Sequence, residues 1–99
     1  MDVEFLRWDD PRWGEAHLTY RRVDYWTRLG YLRVLGDEPN PGSGFTRRWP
    51  ISEYRIACRM AKLIDAGFIL AAAAELARHP DRFQSIFEML TREFEVIHA

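Results

Sequence analysis

TYRRVDYWTRLGYL, residues 19–32, decides the fold. Thr19 can accept the free N–H groups at a helix start through its side-chain oxygen. Val23, Trp26 and Leu29 then recur at the spacing that lines one helical face, and Gly30 can end the helix in a left-handed conformation. On the other side Arg21, Tyr25 and Arg28 stand at i, i+4 and i+7 and so share one stripe. An amphipathic helix is expected, with one face for a core and one face rich in arginine.

The segment after it, RVLGDEPNPGSGFTRRW, holds three of the six glycines and two of the five prolines, and predicts a β-hairpin with Arg47, Arg48 and Trp49 on the returning arm. A helix should follow from Pro50 or Ser52, with Ile56, Met60, Leu63 and Ile64 on its apolar face and a stop at Gly67. Arg55, Arg59 and Lys62 mark its other side. The alanine-rich stretch predicts a short helix over 70–78, ended by Pro80. A final helix over 81–97 carries Phe83, Ile86, Phe87, Leu90, Phe94 and Ile97 in a near-heptad stripe. Upstream, Asp10 and Pro11 can start a first helix, although Gly14 lies inside it. The expected organisation is an acidic, aromatic segment over 1–17, a winged helix-turn-helix over 18–79, and a terminal helix over 80–99 that packs or dimerises. The fold class is mainly α.

A chain of 99 residues supports one core, and 47% hydrophobic residues suffice to build it. The longest apolar run, residues 66–74, is well short of the roughly 20 residues that span a bilayer. The acidic opening MDVEFLRWDD lacks the basic start of a secretory signal, so a cytoplasmic location is expected, with no membrane partner. Charge is unevenly distributed: residues 1–18 sum to −3, residues 19–59 to +4 and residues 60–99 to −2. A basic middle therefore lies inside a chain of net charge −1, a pattern suited to a polyanion or to a solvated surface. His17, His79 and His98 are scattered, Cys58 is the sole cysteine, and no glycine loop is built to cradle phosphate. No enzyme activity, cofactor or metal is expected.

Three blocks carry a resemblance: TYRRVDYWTRLGYL, GSGFTRRWP and ISEYRIACRMAKLIDAGFIL. In order and spacing they resemble the MerR-type winged helix-turn-helix DNA-binding regulators, in particular small variants of actinobacteria and their phages. Four positions depart from the family pattern, one of them Trp13, which fills a slot normally held by a small residue. Asp24 stands where an arginine is usual before the aromatic pair, Ile69 stands where Ser or Thr usually caps the fourth helix, and His17 stands where the turn often has glycine. The resemblance implies a homodimer reading two double-stranded DNA half-sites, with the second helix in the major groove and the wing on the flanking backbone. The residues expected to meet DNA are Tyr20, Arg21 and Arg22 at the helix start, Tyr25 and Arg28 toward the backbone, Arg47 and Arg48 on the wing, and Arg55 beyond it. The final-helix stripe would pair two copies.

Other readings remain open at this point. The chain could be an excisionase-like DNA-bending factor. It could also be a protein-interaction module that keeps the winged fold, docking a partner through Phe5, Leu6, Trp8 and Trp13. Those four side chains could instead complete the core. Trp26 and Trp49 are expected to be structural.

Overall fold

The computed structural model describes residues 4–36 and 47–98, and in the last helix the backbone alone at positions 87, 90, 91 and 93–98. The described chain is mainly helical. Strand β1 (Phe5–Leu6) is followed by α1 (Arg12–Glu15), α2 (Tyr20–Arg28), strand β2 (Trp49–Pro50), α3 (Ile51–Asp65), α4 (Leu70–Ala77) and α5 (Pro80–His98). No helix among the described residues is long and apolar enough to cross a membrane.

Helix α2 begins as its sequence dictates: the Thr19 side chain accepts from the Arg22 N–H at 3.2 Å. Its apolar face is buried through Val23 and Trp26, and Gly30 takes φ 84° just beyond its end. Leu29, placed on the apolar face by spacing, is 47% exposed because the helix is closing there. Helix α3 ends in the same way, with Gly67 at φ 103°. The turn before α2 needs a positive φ as well, and His17 supplies it at 58°. A non-glycine residue in that region costs on the order of 1–2 kcal/mol, so the surrounding packing imposes this conformation.

That packing is aromatic. Trp13 from α1 and Trp49 from β2 are both essentially inaccessible, with ring centroids 5.4 Å apart in an edge arrangement. Trp8 closes on Trp13, Trp49 and Tyr20, and Tyr54 of α3 packs on Trp13. Each such pair contributes about 0.5–1.5 kcal/mol beyond simple area burial. The indole donors are satisfied: Trp13 Nε1 donates to the Arg7 carbonyl at 2.9 Å and Trp49 Nε1 to Thr27 Oγ1 at 3.0 Å.

The sheet among the described residues is a ladder that the sequence did not predict, while most of the expected hairpin lies outside them. The ladder is antiparallel between β1 and β2, with Phe5 opposite Pro50 and Leu6 opposite Trp49, and the Ile51 N–H extends it to the Glu4 carbonyl at 2.9 Å. The returning arm therefore takes its strand partner from the N-terminal segment. Among the described residues one backbone bond, Leu35 N–H to the Arg48 carbonyl at 2.7 Å, links the outgoing segment to that arm. The tip expected for the wing, residues 37–46, lies outside the described residues. Leu6 is fully buried and Trp8 half-buried, so the N-terminal segment is part of the core.

A second small core forms where Leu63 of α3, Ala73 of α4 and Phe83 of α5 meet, with Ile86 packed against it. The two cores are tied by a buried charge. Glu53, 6% exposed, accepts from Arg78 Nη1 at 3.0 Å and Nη2 at 2.8 Å, and from the Arg33 N–H at 2.6 Å. Arg78 Nη2 also donates to the Tyr31 carbonyl at 2.6 Å. These hydrogen bonds hold the Arg78 pKa above its ordinary value. The residue after α4 is thereby fastened to the start of α3 and to the turn after α2.

Candidate nucleic-acid interface

Burial of Val23 and Trp26 turns the other side of α2 outward. Arg21 is exposed, Tyr25 is 54% exposed, and the Arg28 side chain is 55% exposed. With Arg22, Asp24 and Trp26 they line a concavity of about 520 Å³. Arg22 is less free: its guanidinium lies 5.0 Å from the centre of the Trp26 ring, a cation–π contact that holds it over the edge of the core. Tyr20 is also partly withdrawn, since its ring packs edge-on against Trp8 at 5.0 Å. Of the five α2 residues expected to meet DNA, Arg21, Tyr25 and Arg28 form the open stripe. Tyr20 and Arg22 flank it while anchored to aromatic rings.

Asp24 lies in the middle of this face, and both of its oxygens are engaged. Oδ1 accepts from Arg47 Nη1 at 2.6 Å, and Oδ2 faces Arg28 Nε at 3.0 Å. Arg47 therefore does not stand outward as a wing contact. It is 5% exposed, and it joins the returning arm to α2. Removing such a charge from water is offset only by a well-placed counter-ion, and Asp24 is that counter-ion.

The neighbouring Arg48 is exposed, with its guanidinium 5.6 Å from the centre of the Phe5 ring. Arg7 lies over the same ring at 5.8 Å. The β1–β2 ladder thus brings two exposed cations together on one aromatic side chain. Arg7 is absent from the residues picked out by sequence. The alternation Phe5, Leu6, Arg7 of half-buried, buried and exposed is its local signal, but the segment is acidic overall and its pairing partner is far along the chain.

Arg55 is exposed on α3. Arg59 is half-buried: its Nε donates to the Ala77 carbonyl at 2.8 Å and so caps the end of α4, and burial lowers its pKa. Cys58 is half-buried one helical turn from Tyr54, whose hydroxyl donates to the Arg12 carbonyl at 3.3 Å and is pushed up in pKa first by burial. No group of three metal-ligating side chains occurs among the described residues.

The expected dimer stripe divides. Phe83 is 8% exposed and serves the chain's own second core, with Ile86 half-buried against it. Met89, which the stripe did not include, is 52% exposed. The side chains of Phe87, Leu90, Phe94 and Ile97 lie outside the described residues. In comparisons with known proteins, no family model matches the chain, and no curated protein or solved structure matches it.

Proposed function

We propose that this chain is a sequence-specific double-stranded DNA-binding protein that regulates transcription, with α2 in the major groove and the β1–β2 ladder, bearing Arg7 and Arg48, on the flanking backbone. The observation that carries this reading is the open Arg21–Tyr25–Arg28 stripe on a helix whose opposite face is locked into the core. Those residues are spaced along about 10 Å of helix, the length of about three base-pair steps. Arginine supplies paired donors for guanine edges and a charge for phosphates, and tyrosine supplies a donor with an apolar ring. A helix-turn-helix protein places the second helix in the groove, and here α1, the turn at His17 and α2 follow one another in that order. Pairing of two copies through α5, on which Met89 is exposed, would present two such helices to a symmetric site.

Selection from a random duplex library tests the reading. Enrichment of a motif, with affinity that falls as salt rises, is the expected result. Binding without sequence preference, or no binding at low salt, would overturn it. Half-site symmetry in the enriched motif reports on the dimer.

A further inference from the structure

The Asp24 carboxylate is held between two arginines of opposite fate. Arg47, buried, donates to Oδ1 at 2.6 Å, and Arg28, more than half exposed, forms an ion pair in which its Nε lies 3.0 Å from Oδ2. An Asp–Arg pair at i, i+4 on a helix surface is ordinarily weak, because both side chains must be ordered to form it. Here the acid is already ordered from behind by Arg47, so pairing immobilises only Arg28. The ion pair draws the Nε edge of the Arg28 guanidinium toward the carboxylate, and its two terminal amino groups have no hydrogen-bond or ion-pair partner among the described residues. They form an end-on fork with two parallel donors.

The neighbouring carboxylate also selects what the fork can take. Asp24 weakens the pull of Arg28 on a phosphate, whereas an uncharged base edge with two acceptors depends on the donors themselves. Guanine presents such an edge in the major groove through O6 and N7. Resting on the DNA-binding reading above, we infer that Asp24 is a positioning residue which, anchored by Arg47, presents Arg28 end-on to the O6 and N7 atoms of a guanine in each half-site. Arg28 then reads sequence, and Asp24 acts through it without touching DNA.

The experiment uses the full chain and the motif enriched from the random duplex library. At one guanine per half-site, replacement by 7-deazaguanine, which lacks the N7 acceptor, or by adenine weakens wild-type binding on the order of 10- to 100-fold. Arg28→Ala abolishes the preference at that guanine alone and leaves affinity for unrelated duplex within about 3-fold. Asp24→Asn lowers the same preference several-fold and adds nothing in the Arg28→Ala background, with melting curves recorded for each variant. A purely structural role for Asp24 would lower the melting temperature and leave base preference unmoved. If Asp24→Asn does not fold, the 7-deazaguanine and Arg28→Ala arms still decide the guanine contact. Sequence-specific binding in which Arg28→Ala weakens all duplexes equally and flattens the salt dependence identifies a phosphate contact and overturns the inference alone. Absence of any duplex binding removes the DNA reading and the inference together.

Discussion

Arg47 and Arg48 are adjacent in sequence and opposite in environment. The extended backbone entering β2 sends successive side chains to opposite sides, so one arginine turns in to Asp24 and the next turns out over Phe5. Arg47→Ala leaves Asp24, itself only 16% exposed, without its shorter ion pair. Breaking a buried pair from one side costs roughly 3 kcal/mol, and the same change at an exposed arginine falls within about 0.5 kcal/mol. Urea unfolding of the two alanine variants should separate them by that margin, and equal stabilities would show that the Asp24 bridge does not hold the arm. Neither fate was legible in the pair RR. What was legible was the presence of an acid with the wrong sign for phosphate in an otherwise basic face, and its explanation lies 23 positions away.

At the scale of elements, the helices were readable because their signals are local. Thr19 and Gly30 bracket α2, Gly67 follows α3, and Pro80 separates α4 from α5, each acting through its own backbone geometry or side-chain oxygen. Strand β1 was not readable, since two residues have no periodicity and their partner strand is more than 40 positions on. This is why a docking tail and a core strand looked alike in DVEFLRWDDPRW. With Leu6 fully buried and Trp8 in the aromatic cluster, deletion of residues 1–9 should abolish cooperative thermal unfolding followed by circular dichroism. A truncated chain that melts like the intact one would restore the tail reading. Helix α1, only four residues long, owes its first turn to Asp10, which accepts from the Arg12 N–H and receives the Arg12 guanidinium at 2.9–3.0 Å. The Arg12 side chain, then its backbone N–H, hold the Asp10 pKa below the ordinary 3.8. A depressed folded-state pKa contributes stability that is present above the unfolded value and disappears as pH falls through the folded one. The melting-temperature gap between wild type and Asp10→Asn should therefore be constant from pH 7 to pH 5 and close below about pH 4. A gap that persists to pH 2 would locate the effect outside this carboxylate.

For the molecule as a whole, a net charge of −1 offers a polyanion no general attraction, so the proposed DNA binding would have to come from orientation. The ladder places Arg7 and Arg48 on one aromatic ring, α2 adds Arg21 and Arg28, and the acidic residues at 60–99 mostly belong to α3's end and to α4 and α5. If Arg28 reads a base, the phosphate contacts are left to Arg21, Arg7, Arg48 and Arg55, and about three or four per subunit would give a salt slope of about −3 per subunit. Removing one of them should act as a unit step. Arg48→Ala is expected to weaken binding to all duplexes alike and to reduce the slope by about 1, without altering the selected motif. Arg92→Ala, an exposed arginine on α5, removes the same charge from the molecule and is expected to leave the slope unchanged. Titrations of both variants from 50 to about 200 mM salt distinguish a localised footprint from a whole-chain charge effect. Equal losses for the two arginines would mean that total charge, and not the face built by β1, β2 and α2, governs association.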